Sequence, residues 1–483
     1  MNTPLLTRSL VLLAGLGLAG CVTVGPDYVP PATDLPGGWT RLDPAAQPVT
    51  RADATGDLSQ WWQNLNDPLL SGLIAEAQQA SPDLRSAQAK LRQARASRSV
   101  AAAGRYPSVT ASGRASRSRS SEETGSGDAR NFFSAGFDAS WELDVFGGVR
   151  RGVEAAEADL ASTTASLDHT RVSLASEVAL NYVDVRALQT RLGIARANLA
   201  SQSETLQLTD WRAQAGLVSS QDVEQARSNR EQTRAQIPAL ETSLAAAEHT
   251  LDVLLGKSPG TLHARLAATG ELPTLPAQIA VGIPADTLRQ RPDVRAAERK
   301  LAAETARVGV AEAARYPSFT LSGSIGLEAL TLGALGSSDA ATSSLLAGIT
   351  DPIFNAGRLR AQVEIQDAVR EQAQVAYEQA VLTALQDVEN ALVALARNRE
   401  RVDALANAAE SARNAALMAQ QRYSAGLVDF QSVLDTQRSV LSSEDSLASA
   451  RADGVLALIR LYKALGGGWP HEAETRPVGK DTP

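Results

Sequence analysis

Residues 103–113 read AGRYPSVTASG and residues 313–323 read AARYPSFTLSG, one phrase returning after 210 positions. The same offset relates Pro82-Asp83-Leu84-Arg85 to Pro292-Asp293-Val294-Arg295, Lys90-Leu91 to Lys300-Leu301, Ala215-Gly216-Leu217-Val218 to Ala425-Gly426-Leu427-Val428, and Leu255-Gly256 to Leu465-Gly466. A register held across so many sites makes the chain two structurally equivalent halves. The period is too long for a solenoid and suits a duplicated architectural unit. Any element that one half builds, the other must build again.

Each half opens a helix at a proline, Ser81-Pro82 or Arg291-Pro292, where Pro fits the first turn and Ser81 is expected to cap it. Arg-Tyr-Pro ends that helix. Beyond it the apolar period changes to strict alternation. Phe319, Leu321, Gly323, Ile325 and Leu327 interleave with polar residues, as do Phe133, Ala135, Phe137, Ala139, Trp141, Leu143 and Val145. Such segments would suit a half-exposed sheet in a water-soluble protein. Their length, roughly 9–11 residues or more, and the aromatics Phe133, Phe137 and Trp141 favour strands that cross a membrane. Ser116–Asp128 and Gly333–Ser344 read as loops, and a fourth strand is expected near Leu345–Ile353.

A long helical pattern follows in each half. From Gly148 to the Ala215-Gly216 turn, Val153, Ala156, Leu160, Thr163, Leu167, Thr170 and Leu174 recur at spacings of three and four. An unbroken helix of that length would reach on the order of 100 Å. The return helix keeps the heptad rhythm, and small seam residues imply close coiled-coil packing. Pro238 predicts a local kink. The second half repeats the hairpin with its turn at Gly426.

The fold class expected is therefore an α+β membrane protein. Four strands cannot close a barrel, and lipid leaves open sheet edges without partners, so copies must join. Two copies would give eight strands and a filled lumen. Three would give twelve and a water-filled passage, which the polar strand faces prefer.

The N-terminus carries Arg8, an apolar run from Leu10 to Leu18 and Leu18-Ala19-Gly20-Cys21. The run is too short to span a bilayer and reads as a removable secretory signal over residues 1–20. The tetrapeptide resembles a bacterial lipobox, which makes Cys21, the chain's single cysteine, the lipid attachment point. One thiol leaves no internal disulfide. Val22 in place of Asp favours the outer membrane, by resemblance to lipoprotein sorting. The remaining boundaries are an N-terminal segment 21–60, repeat 1 over 61–270 (strands within about 105–146, hairpin about 148–256), repeat 2 over 271–468 (strands about 316–354, hairpin about 357–465), and a polar, disordered tail 469–483.

GCVTVGPDYVPP, VGIPADTLRQRPDVRAAE, the doubled RYPS and the closing LYKALGGGW together resemble the outer-membrane factors of the TolC/OprM/NodT type, in the lipidated branch that serves drug-efflux pumps. The resemblance covers nearly the whole chain. It implies a homotrimer with a twelve-stranded barrel in outer-membrane lipid, a long α-helical periplasmic barrel, and a mixed belt formed by the N-terminal segment, Leu262–Pro284 and the C-terminal end. It also implies two protein partners, a periplasmic adaptor (membrane fusion) protein and an inner-membrane RND-type transporter.

A net charge of −8 without a basic face argues against nucleic acid as a partner. His169, His249, His263 and His471 show no metal spacing, no phosphate-binding glycine loop occurs, and Gly466-Gly467-Gly468 reads as a helix end, so neither an enzyme nor a cofactor is expected. The hairpin turns are the candidate site. Gly216 and Gly426 permit the reversals, and Leu217-Val218 and Leu427-Val428 would either stand exposed or staple their helices together. The resemblance assigns these six residues to adaptor docking. It assigns Asp435, with Arg438 one turn later and expected to meet an acid, to a periplasmic gate, and it matches Tyr423 and Asp222 to a pair that bonds across adjacent hairpins. Ser432 stands where some relatives carry a second acid. Solvated helix faces are the alternative for these charges. The activity expected is passive export of small amphiphiles. Its rivals are a type I protein-secretion conduit and a coiled-coil lipoprotein without a pore.

Overall fold

The structure is a computed structural model that describes residues 23–32, 35–40, 49–51, 58–276, 279–281, 287, 288 and 290–469. The signal segment, Cys21 and the tail beyond Trp469 lie outside the described residues. The elements, in chain order, are β1 (Val49–Arg51), a 3-10 turn (Trp61–Leu65), α1 (Pro68–Ala80), α2 (Pro82–Ala103), β2 (Ser108–Arg119), β3 (Ala129–Leu143), α3 (Gly148–Gln214), α4 (Ser220–Leu254), the one-turn α5 (His263–Leu266), β4 (Ile279–Val281), α6 (Pro292–Ala313), β5 (Ser318–Ala329), β6 (Ala341–Thr350), α7 (Arg358–Ser424) and α8 (Phe430–Ala464). The bounds of α6, β5, α7 and α8 each lie 210 positions after those of α2, β2, α3 and α4. The 67-residue length of α3 returns in α7, and the 35-residue length of α4 in α8. Among the described residues, no helix is long and apolar enough to cross a membrane.

Two compact units divide these elements. The first holds the described residues of 23–32, 90–164 and 296–378, and its centre is a four-stranded antiparallel sheet in the order β2-β3-β5-β6. The register keeps odd-numbered residues on one face throughout: Val109 opposes Ala139, Phe137 opposes Ile325, and Gly323 opposes Leu345. That face is apolar except at Arg117, Arg119, Asn131 and Ser343. The even face carries Ser112, Asp138, Ser324 and Ser344, joined by hydrogen bonds from Ser112 to Asp138 (2.9 Å) and between Ser324 and Ser344 (2.7 Å). Phe137, Ile325 and Leu345 are 58, 65 and 80 % exposed, so the described residues leave this apolar face uncovered. On the even face Gly136 opposes Gly326, and a Cβ on Gly136 would lie 2.7 Å from the Ile325 carbonyl oxygen. Glycines that let two strands pinch together on one side curl the sheet toward that side.

Strand bounds differ from expectation at three places. β2 continues to Arg119 through part of the expected loop, β3 ends at Leu143 before Val145, and β6 starts four residues earlier and stops at Thr350. Ile353 and Phe354, read toward the strand, are exposed loop residues beyond it.

The strap from Thr23 to Tyr28 belongs to the same unit. The Val24 N–H donates to the Phe146 carbonyl (3.1 Å). Arg151, 4 % exposed, donates to the carbonyls of Val24 and Gly25 and pairs with Asp27 at 2.7 Å. Gly25, at φ 87°, leaves no space: a Cβ there would sit 2.4 Å from Gly309 Cα. Gly25→Ala is therefore expected to undock the strap at a cost of about 1–3 kcal/mol. Limited proteolysis would show it as new cleavage between residues 23 and 28.

The second unit holds the described residues within 35–89, 165–295 and 379–469. The Asp67 carboxylate caps α1 by accepting from the Leu69 and Leu70 N–H groups, with Pro68 in the first turn. Ser81 does not cap α2 as expected. It closes α1 instead, its N–H donating to the Ala77 carbonyl, while its buried hydroxyl has no partner among the described residues. β1 pairs in parallel with β4. Trp61 stacks on Tyr462 at 5.3 Å, the Gly468 N–H donates to the Leu58 carbonyl, and a Cβ on Gly467 would lie 3.0 Å from that same carbonyl. The triple glycine thus does more than end α8; it admits the N-terminal turn. Trp469, grouped with the tail on composition, is buried under the Arg295 guanidinium. Gln189 donates to the Leu266 carbonyl (2.7 Å) and Arg186 to that of Ala268 (2.6 Å), fastening the segment after α5 onto α3.

Candidate functional site at the hairpin tips

Both hairpins turn by the same backbone device. Leu217 N–H donates to the Arg212 carbonyl (2.8 Å) and Leu427 N–H to that of Arg422 (2.9 Å), with Gly216 at φ 71° and Gly426 at φ 76°. This is the αL termination that glycine permits without strain. The next helix is capped in mirrored fashion. In the first tip Ser219 caps and Asp222 answers, its carboxylate accepting from the Ser219 N–H (3.0 Å) and hydroxyl (2.9 Å). In the second, Asp429 caps, accepting from the Ser432 N–H (3.0 Å) and hydroxyl (2.7 Å). Hydrogen bonds from Ser432 hold the Asp429 carboxyl below its ordinary range. Both caps pair the N–H of the third helical residue, and the first also pairs the N–H of its own capping residue. Ser432, the departure noted in the sequence, is thus half of a cap.

Leu217 and Leu427 are 67 and 74 % exposed. Val218 and Val428 are half-buried, and Val428 packs on a cluster of Ala226, Tyr423, Phe430, Val433 and Leu434. The leucines therefore do not staple the helices; the second valine partly does. The Tyr423 ring lies 5.6 Å from that of Phe430 and beneath the Arg212 guanidinium at 4.5 Å. Arg212 also donates to the Tyr423 carbonyl, tying the first hairpin to the second. The Tyr423 hydroxyl is buried and finds no hydrogen-bond partner among the described residues.

The remaining predicted site residues sit further along α4 and α8. Asp435 is exposed and accepts from Gln431 (2.9 Å). Arg438, expected to meet an acid, donates instead to the Asn229 side-chain carbonyl at 3.1 Å. An amide on α4 is what the heptad seam places opposite it. Within one chain, Tyr423 and Asp222 are not joined, since Asp222 is engaged by its cap. Further polar ties hold α8 to α3: Asp445 accepts from Arg191 (2.6 Å), and Gln437 donates to Thr205 (2.8 Å). Arg212 and Trp211, the latter exposed, were not anticipated. The recurrence of Arg212 as Arg422 was the available signal. Among the described residues no group of three His, Cys, Asp or Glu side chains could hold a metal.

The profile of the outer membrane efflux protein family matches the chain twice, over residues 73–257 and 283–467. The chain belongs to that family. This efflux protein is 34 % identical over 471 residues to nodulation protein T of Rhizobium leguminosarum bv. trifolii, covering 96 % of the chain and 98 % of the relative. It is 35 % identical over 488 residues to the pyoverdine export outer membrane protein OpmQ of Pseudomonas putida, covering 98 % of the chain and all of the relative. The outer-membrane channel OprN matches its fold with a TM-score of 0.86 and 36 % identity, over 92 % of this chain and 99 % of that one. The efflux protein resides in the outer membrane and extends into the periplasm.

Proposed function

We propose that three copies of this chain close one twelve-stranded barrel, and that the assembly is the passive outer-membrane conduit of a tripartite pump for small amphiphilic compounds. The observation that carries the reading is the four-stranded sheet, which among the described residues is uncovered on its largely apolar face, polar on the other, and has one unpaired edge at each of β2 and β6. In lipid such edges must find partners. Three antiparallel steps separate β2 from β6, so β6 of one copy meets β2 of the next running antiparallel. The Gly136/Gly326 crease turns the polar face inward, as a water-filled lumen requires.

An energy-coupled partner in the inner membrane and a periplasmic adaptor drive transport; the conduit supplies a path. Gly216, Leu217, Val218, Gly426, Leu427 and Val428 form the adaptor seats, with the two exposed leucines as the apolar contacts. Asp435, Arg438, Tyr423 and Asp222 close the periplasmic end, and adaptor binding favours the open state by its differential affinity. Acylation of Cys21 anchors each copy.

Conductance across planar bilayers tests the gate. Asp435→Ala and Tyr423→Phe are expected to raise single-channel conductance, and unchanged conductance in both variants removes both residues from it. Rescue of a drug-sensitive deletion strain, set against rescue of a secretion-deficient one, separates compound efflux from protein export.

A further inference from the structure

The β2–β3 hairpin runs past the rest of the sheet. Pairing of β3 with β5 starts at Phe133 and Ala329, whereas β2 and β3 remain paired out to Arg119 and Ala129. On the odd face the apolar residues stop at the Ala115/Phe133 pair, and the next two pairs are Arg117/Asn131 and Arg119/Ala129. From Phe133 to Leu143 the apolar face of β3 covers about 25 Å of membrane depth at the usual strand tilt. The arginines begin where the hydrocarbon ends. Both are exposed, and neither forms an ion pair among the described residues; Arg119 spends its Nε on the Gly127 carbonyl (2.6 Å) and leaves its terminal nitrogens available. The hairpin carries two more arginines, Arg114 and Arg130, on the opposite, even face. The β5–β6 end shows Leu330 and Leu332 to solvent instead.

We infer that Arg117 and Arg119 form a binding surface for the phosphate groups of an anionic glycolipid in the outer leaflet. The inference rests on the membrane reading above. The occupant follows from position and charge: a lipid-facing side chain directly beyond the apolar band meets headgroups, and a guanidinium is matched by phosphate, which it binds through two parallel N–H donors. A ring of copies would repeat this pair around its outer rim and fix the barrel's depth and orientation against one leaflet.

The test uses the purified full-length protein in vesicles containing either bisphosphorylated or dephosphorylated lipid A, with retained lipid counted by native mass spectrometry. The wild type is expected to retain the phosphorylated form preferentially, and R117S/R119S to retain it roughly 30-fold less. R114S/R130S removes the same charge from the other face and is expected to leave retention unchanged. Equal loss in both double variants, or no loss in the first, overturns the inference. Wild-type protein that embeds without preferring phosphorylated lipid overturns it alone, whereas wild-type protein that fails to embed overturns the membrane reading beneath it.

Discussion

Arg291→Ala is expected to destabilise the helical unit by about 1–3 kcal/mol, the cost of leaving partly buried, hydrogen-bonded carboxylates and a helix-end carbonyl without their donor. The Arg291 side chain is almost fully buried and donates to Asp293 (2.7 Å), to Asp387 (3.1 Å) and to the Ala464 carbonyl (3.1 Å) at the end of α8. Burial alone would lower the Arg291 pKa, but the two carboxylates outweigh it and raise it. For Asp293, burial is the largest influence and pushes upward, but the hydrogen bonds and charge of Arg291, with smaller help from His169 and the Val294 N–H, together outweigh it and leave its pKa below the ordinary value. A depressed carboxyl pKa contributes stability above the unfolded value, about 3.9, and that contribution is lost as pH falls through the lower folded value. Without Arg291 the sign reverses, because Asp293 keeps its burial and loses its cation. Denaturant titrations from pH 4 to 8 would show the variant gaining stability on mild acidification, where the wild type does not. A variant with an unshifted midpoint and unchanged pH profile would refute this account.

Gly136→Val is expected to abolish barrel assembly. Its first added carbon would lie 2.7 Å from the Ile325 oxygen and 2.9 Å from Gly326 Cα, and neither is the end of a flexible side chain that can swing away. Overpacking in ordinary cores costs about 1–3 kcal/mol, with relief from side-chain shifts that are missing here. Gly326→Val meets the mirror-image obstacle, the Ala135 oxygen at 2.8 Å. Gly113→Val provides the comparison, since nothing lies within 4 Å of a Cβ there. Heat-resistant oligomers on gels should vanish for the first two variants and persist for the third. Loss in all three would point to glycine content rather than to the crease.

The helices and their doubled lengths were legible because both long patterns keep one rhythm and because Pro107 and Pro317 mark the change to alternation. The fourth strand lies several residues earlier than its alternation predicts, for a local reason. Ser343 interrupts the apolar face of β6 and Leu346 breaks the polar one, so alternation there points several residues too late. The turn leucines and capping residues could be located from spacing, since Gly216 and Gly426 fix them. What Tyr423 touches could not: Arg212 reaches it from another helix, 211 positions away, and neither period nor motif records such a contact. Similarly, Gly467 reads as a helix end until the Leu58 turn is seen pressed against it.

The two tips share a backbone but not a surface. Trp211 of the first corresponds to Gln421 in the second, and Ser220 to Phe430, which is drawn under Tyr423. A closed ring of three chains would therefore present two alternating sorts of seat to any molecule supplied in six identical copies. Occupancy would climb in two stages of three, and calorimetry of the reconstituted complex would record a biphasic isotherm where a uniform ring would give a single inflection.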